Sequence, residues 1–161
     1  MPRVRAVAIV VRGEQILLMH RVNYGKEYWV FPGGGVEAGE TVEQAVAREL
    51  REETSMEVRV EKLLYHHIYD DGSEQFFYLC APVSGEPRLA ADSQEAADMA
   101  AGRDNFYEPG WYDVADLAKL LLYPLEIRDW FLADFAAGFS VADLPRSATI
   151  KIADLREKIT D

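Results

Sequence analysis

Three glutamates in the first third of the chain, Glu49, Glu52 and Glu53, are spaced so that their carboxylates can act together. On an α-helix, residues three and four positions apart project from the same side. Most glutamate-rich helices carry a solvated charged face. Here Glu49 and Glu53 continue the apolar stripe that begins with Val42 and Val46 and that a helix would bury. Because buried like charges are costly unless a cation neutralises them, the pattern indicates a site for Mg²⁺ or a similar hard cation.

The helix that must position these carboxylates is predicted over about 41–53. Thr41 stands three residues before Gln44, which is a capping-box pattern for a helix N-terminus. The residues that follow are nearly all good helix formers and include neither Gly nor Pro.

Three consecutive glycines precede the helix. They would let the backbone pass close to a metal ion and to phosphate groups, although an ordinary flexible turn is the alternative. The candidate substrate-binding residues are therefore Gly33, Gly34 and Gly35.

The stretch from Gly34 to Met56 resembles the Nudix box of the Nudix hydrolases. That signature is a Gly, five residues, a Glu, seven residues, and then Arg-Glu-apolar-x-Glu-Glu-x-Gly-apolar. Every fixed position agrees except one, because Ser55 stands where the family has glycine. Glycine just past a helix end usually supplies a positive φ, so serine there is expected to cost about 1 kcal/mol or to alter the turn locally. The metal site precedes Ser55 and is expected to survive.

The resemblance implies an α/β fold, the α/β/α sandwich of the family with a mixed sheet. It also implies a Mg²⁺-dependent hydrolase, in which Mn²⁺ can substitute, that cleaves the diphosphate bond of a nucleoside diphosphate derivative by water attack at phosphorus. Glu49, Glu52 and Glu53 are the implied metal ligands. The implied catalytic residues are Glu53, Glu52 and Arg48, with Arg48 orienting a box glutamate by a salt bridge. Glu40 is expected to be a structural acid at the helix entrance.

Many members of this family use a further acid from a downstream loop as base or ligand. Glu95 and Glu108 are candidates here by location alone. An ordinary exposed acid is the alternative for each of them.

Length and composition indicate one domain. The chain has 161 residues, which is enough for a single core, and we assign 1–138 to one Nudix domain. The tail, 139–161, is expected to pack on that domain or on the second subunit of a homodimer. The net charge of −11 argues against duplex nucleic acid as a partner. It is compatible with the small nucleotide substrate that the resemblance implies, because metal ions can bridge two negative partners.

The chain has no apolar run of transmembrane length and no signal-peptide pattern at its N-terminus, so no membrane partner is expected. Cys80 is the only cysteine, which fits a reducing compartment, and the predicted location is cytoplasmic.

The remaining elements follow from local patterns. A helix is predicted over about 124–137 with Pro124 at its first position, a short helix over 93–101 within a loop spanning 82–105, and a helical turn over 116–121. The predicted strands cover 4–11, 16–19, 28–31, 58–65, 74–81 and 111–114.

Three functions remain open at this stage. Hydrolysis of a nucleoside triphosphate, including oxidised nucleotides, is favoured over ADP-ribose because the proline that follows the box in many ADP-ribose hydrolases is absent. A catalytically silent nucleotide-binding sensor is the alternative. An isomerase acting on an isoprenoid diphosphate would need a catalytic cysteine, and Cys80 lies in an apolar, buried-looking strand.

Overall fold

A computed structural model of the chain describes residues 2–89, 96, 97, 99, 105–140 and 144–155. Over these residues nine strands form one mixed sheet. The strands are β1 (Val4–Arg12), β2 (Gln15–Asn23), β3 (Lys26–Val30), β4 (Gly33–Gly35), β5 (Glu57–Tyr69), β6 (Glu74–Ser84), β7 (Asn105–Asp113), β8 (Leu122–Tyr123) and β9 (Arg146–Ile150). The helices are α1 (Val42–Thr54), a 3₁₀ helix (Val114–Lys119) and α2 (Leu125–Ala136).

The main path of the sheet runs in the order β8-β3-β2-β1-β6-β5-β9, with β4 paired to β1 and β7 paired to β2. The pairs β1–β6, β5–β9 and β3–β8 are parallel, whereas the other pairs are antiparallel. This arrangement confirms the predicted mixed sheet.

Strand β1 is buried on both faces and separates two cores, because successive side chains of a strand point to opposite faces. Ala6, Ala8 and Val10 join the core that contains α1. Val7 and Ile9 join the core that contains α2. Helices therefore cover both faces of the sheet, as expected for an α/β/α sandwich. The α1 core includes Ala45, Val46 and Leu50, and the α2 core includes Ile127 and Phe131.

The predicted box helix is confirmed. The Thr41 hydroxyl accepts a hydrogen bond from the Gln44 backbone N–H at 3.1 Å, and the Gln44 side chain accepts one from the Thr41 N–H at 2.9 Å. The helix ends at Ser55, whose φ of 61° is left-handed. Serine thus keeps the turn that glycine usually makes, and its hydroxyl donates to the Arg88 carbonyl at 3.0 Å.

Helix α2 is also found where the sequence predicts it, but the position predicted for Pro124 within the helix was wrong. Pro124 is extended (φ −70°, ψ 136°) and precedes the helix as its N-cap residue, not as its first helical residue. The predicted helical turn over 116–121 lies within the 3₁₀ helix and the residues just after it.

Two segments that were not predicted as strands pair with distant parts of the chain. Gly33–Gly35 forms β4 against the start of β1. Strand β7 begins at Asn105, within the predicted loop, because it pairs along the whole length of β2. The predicted short helix over 93–101 lies outside the described residues except at 96, 97 and 99.

Part of the tail lies on the sheet, since Arg146–Ile150 pairs in parallel with the end of β5. The domain boundary at 138 and the dimer stay predictions. Within the described segments, no helix combines the length and the apolar character needed to cross a bilayer.

Candidate functional site

A cleft of about 250 Å³ lies where β4, the box helix and the starts of β1 and β7 meet. Two groups of residues line it, which we call the box wall and the arginine wall. The box wall consists of Gly33, Gly34, Gly35, Glu49 and Glu53, and the arginine wall consists of Arg3, Arg5, Arg21 and Tyr107.

Close packing explains two of the three glycines. A Cβ on Gly33 would collide with the Ala6 carbonyl oxygen of β1, and a Cβ on Gly34 would collide with the Glu49 carboxylate. The Gly33 backbone N–H also donates to Glu53 Oε2 at 3.2 Å. Gly34 thus lets the Glu49 carboxylate lie directly against the backbone, and Gly33 lets β4 approach β1, whereas Gly35 has open space beside it.

Arg48 connects most of the remaining box residues. Its Nε and Nη2 donate to the two carboxylate oxygens of Glu40 at 2.9 and 2.8 Å, and Nη2 also reaches the Gly35 carbonyl oxygen at 2.8 Å. Its Nη1 donates to Glu49 at 2.9 Å and to Glu52 at 3.2 Å. This agrees with the orienting salt bridge that the box implies for Arg48.

The charge of Arg48 controls the ionisation of Glu40. Hydrogen bonds from Arg48, helped by the Glu37 backbone N–H, lower the pKa of Glu40 to about 2. Reciprocally, the Glu40 carboxylate raises the pKa of Arg48. Glu40 therefore acts in the structure as the expected structural acid, although its main partner is an arginine side chain.

The three candidate metal ligands differ in position. Glu53 is 8% exposed and the Glu49 side chain is 14% exposed, and both line the cleft. The Glu52 side chain is 53% exposed and lies outside the cleft, held by Arg48. Among the described residues, no three acidic, histidine or cysteine side chains are arranged as a ready metal cluster. The Glu49 and Glu53 oxygens nevertheless fit a hard cation such as Mg²⁺, which prefers oxygen ligands.

Sequence reasoning missed the arginine wall. Arg5 lies on β1 in phase with Val7 and Ile9, so the alternation of the strand directs it to a largely buried face. Burial, followed by the charge of Arg3, lowers the pKa of Arg5, while Glu53 and Glu49 oppose that shift. The sequence did contain a signal for this wall, because Arg5 is a charged residue that alternates in step with the core positions Val7 and Ile9.

Arg21 follows the apolar run of β2 and is held by Tyr107. Its Nη2 donates to the Tyr107 hydroxyl at 2.7 Å, and its guanidinium carbon lies 4.2 Å from the centroid of that ring. Both contacts fix the guanidinium at the cleft.

The two candidates for a fourth acid have different outcomes. Glu95 lies outside the described residues. Glu108 is exposed on β7 and does not line the cleft, whereas its neighbour Tyr107 does. Adjacent residues of a strand face opposite sides, so Glu108 points away from the side on which Tyr107 lines the cleft.

Cys80 is 1% exposed and does not line the cleft. Burial, with a smaller contribution from Glu61, raises the pKa of the thiol to about 12. A thiol in this environment is poorly nucleophilic, which does not favour the isomerase hypothesis.

A family model described as the NUDIX domain matches residues 1–132, and this chain belongs to the Nudix family. It is similar to an ADP-ribose pyrophosphatase from Methanocaldococcus jannaschii, with 35% identity over 101 residues that cover 59% of this chain and 60% of the relative. It is 30% identical over 117 residues to putative nudix hydrolase 1 of Caenorhabditis elegans, covering 70% of this chain and 29% of the relative. The chain thus spans less than two thirds of either relative.

Among solved structures, the fold is similar to that of a NUDIX hydrolase from Nitrosomonas europaea. The TM-score is 0.69 at 16% identity, and the match covers 93% of this chain and 79% of that one.

Proposed function

We propose that this protein is a Mg²⁺-dependent hydrolase that cleaves the diphosphate bond of a nucleoside diphosphate derivative by water attack at phosphorus. The observation that carries the proposal is the placement of Glu49 and Glu53, nearly buried, against the glycine strand in a cleft that arginines also line. Carboxylates that bind the ion and guanidinium groups that bind phosphate suit this reaction.

The similarity to named hydrolases of pyrophosphate bonds supports the same reaction. Besides the archaeal ADP-ribose pyrophosphatase, an RNA pyrophosphohydrolase from Edwardsiella ictaluri is 43% identical over 58 residues, covering 36% of this chain and 33% of that protein.

Glu49 and Glu53 would hold Mg²⁺, and Glu52 would join them by turning from Arg48 towards the cleft. When bound, the ion neutralises charge on the phosphoryl oxygens and activates a water. The chain itself supplies rigidity, because the Gly33 N–H fixes Glu53 and Arg48 fixes Glu49. Mn²⁺ would fit the same oxygen ligands.

Hydrolysis can be tested by measuring phosphate and nucleotide release across nucleoside triphosphates, oxidised nucleotides and ADP-ribose. Wild-type protein with Mg²⁺ is compared with protein in EDTA and with Glu53→Gln. We expect turnover that EDTA abolishes and that Glu53→Gln lowers by at least about a hundredfold, because a carboxylate that binds the metal is lost. Glu108→Gln is the matched control, since Glu108 is an exposed acid outside the cleft.

The sensor function remains the alternative. If the folded wild-type protein binds nucleotides but releases no product above the Glu53→Gln background, the sensor function is favoured and the hydrolase proposal fails. A cytoplasmic location and a homodimer formed through the tail stay predictions.

A further inference from the structure

A second cavity, of about 200 Å³, adjoins the cleft and shares Arg5 and Arg21 with it. Its other polar lining residues are Gln75 and Tyr123. No acidic residue of the described chain lines this cavity. The Lys26 ammonium adds positive charge nearby, 5.4 Å from the centroid of the Tyr123 ring.

This local charge is opposite to that of the protein as a whole. The chain carries a net charge of −11, yet among the residues that the structure describes two guanidinium groups and no carboxylate line the second cavity. The carboxylates that act on Arg5, Glu53 and Glu49, line the cleft and not this cavity, so the cavity itself suits an anionic ligand.

The hydrogen bonding of the two arginines points the same way. The Nε atoms of Arg5 and Arg21 are buried and have no hydrogen-bond partner among the described residues. Arg5 otherwise donates through Nη2 to the Gly33 carbonyl oxygen at the long distance of 3.4 Å. A guanidinium presents its donors in a planar fork that matches two phosphate oxygens, and the protein leaves part of the Arg5 fork unsatisfied.

We propose that Arg5, assisted by Arg21, binds a phosphate beyond the scissile diphosphate. Both arginines line the cleft as well as the second cavity. A substrate whose scissile diphosphate lies at the ion held by Glu49 and Glu53 would therefore place its next phosphate near these arginines. The favoured substrate is then a nucleoside triphosphate or another 5′-triphosphate. A diphosphate joined to an uncharged group is less favoured, because it has no further phosphate for Arg5 to bind. This inference rests on the proposed function for the position of the scissile bond.

The selectivity can be measured with substrates that differ by one phosphate. The kcat/KM of a nucleoside triphosphate and of the matching nucleoside diphosphate are compared in wild type, Arg5→Met and Arg5→Lys. Arg5→Met should lower the triphosphate value about tenfold to one hundredfold, as for lost hydrogen bonds to a charged group, and should lower the diphosphate value by a clearly smaller factor. Arg5→Lys keeps the positive charge without the planar fork of donors, so its kcat/KM for the triphosphate should lie between those of wild type and Arg5→Met.

Arg59→Met is the matched control. Arg59 is a strand arginine with a 68% exposed side chain, it pairs with Glu61, and it lies outside both cavities. Its removal should leave the preference for the triphosphate unchanged.

Binding provides a readout that does not depend on turnover. Calorimetric titration with methylene-bridged triphosphate and diphosphate analogues in Mg²⁺ should show the same selective loss of affinity in Arg5→Met. Circular dichroism checks that each variant is folded, and Arg21→Met supplies a second variant with the same expected direction.

Equal losses for both analogues, or no loss, would overturn the inference. If wild type hydrolyses nothing while Arg5 still controls triphosphate binding, the proposed function fails and the anion site stands. If EDTA and Glu53→Gln abolish turnover but Arg5→Met does not change the preference, the anion site fails and the hydrolase stands.

Discussion

The two walls of the cleft use arginine in contrasting ways. On the box side, Arg48 donates to three carboxylates and to the Gly35 carbonyl, and its side chain is 19% exposed. On the other side, Arg5 and Arg21 each keep a buried Nε without a partner among the described residues. An arginine whose donors are satisfied by the protein holds the fold together, whereas one with donors to spare is available to a ligand.

Matched substitutions should separate these two uses. Arg48→Met should lower the free energy of unfolding by more than Arg5→Met does, because it removes the cation that Glu40, Glu49 and Glu52 share. Arg5→Met should lower it by at most about 1 kcal/mol, because a desolvated cation with one long hydrogen bond is removed. Denaturant titrations in EDTA measure both values. A larger loss for Arg5→Met than for Arg48→Met would contradict the contrast.

The ionisation of Glu40 gives a second comparison. Its carboxyl pKa should lie near 2 in wild type and return towards the ordinary 4.5 in Arg48→Met, as followed by carbon NMR. Because the folded-state pKa is depressed, the stabilisation is complete above about pH 4.5 and is lost as the pH falls towards 2. The stability difference between wild type and Arg48→Met should therefore narrow over that interval. A stability difference that stays constant over this pH interval would show that the Glu40–Arg48 ion pair does not cause it.

The smallest effect is expected at Ser55, the one departure from the box signature. Ser55→Gly relieves a left-handed residue but loses the hydroxyl bond to the Arg88 carbonyl. These opposing contributions, about 1 kcal/mol each, should leave stability within about 0.5 kcal/mol of wild type. Thermal unfolding measures the change, and turnover should not alter. A large loss of activity would mean that this turn helps position the carboxylates.

The box helix could be predicted because its determinants are local. The Thr41–Gln44 capping box, the apolar stripe and the glutamate spacing all fall within one short segment. The same segment also supplies Arg48 and its carboxylate partners, so this half of the candidate site followed from the sequence.

The other half depends on contacts between distant segments. Arg5 and Arg21 come from two strands, and Tyr107 reaches them because β7 pairs with β2 across a long separation in sequence. Local patterns do not specify such pairing, which also explains why Asn105 was assigned to a loop and why the predicted strand began only at Trp111.

A crystal structure of the protein with Mg²⁺ and a methylene-bridged nucleoside triphosphate would test the central claim most directly. The account predicts the ion at Glu49 and Glu53, the bridged phosphates in the cleft, and the terminal phosphate within hydrogen-bond distance of Arg5. Phosphates bound outside the cleft, or a terminal phosphate directed away from Arg5 and Arg21, would contradict it.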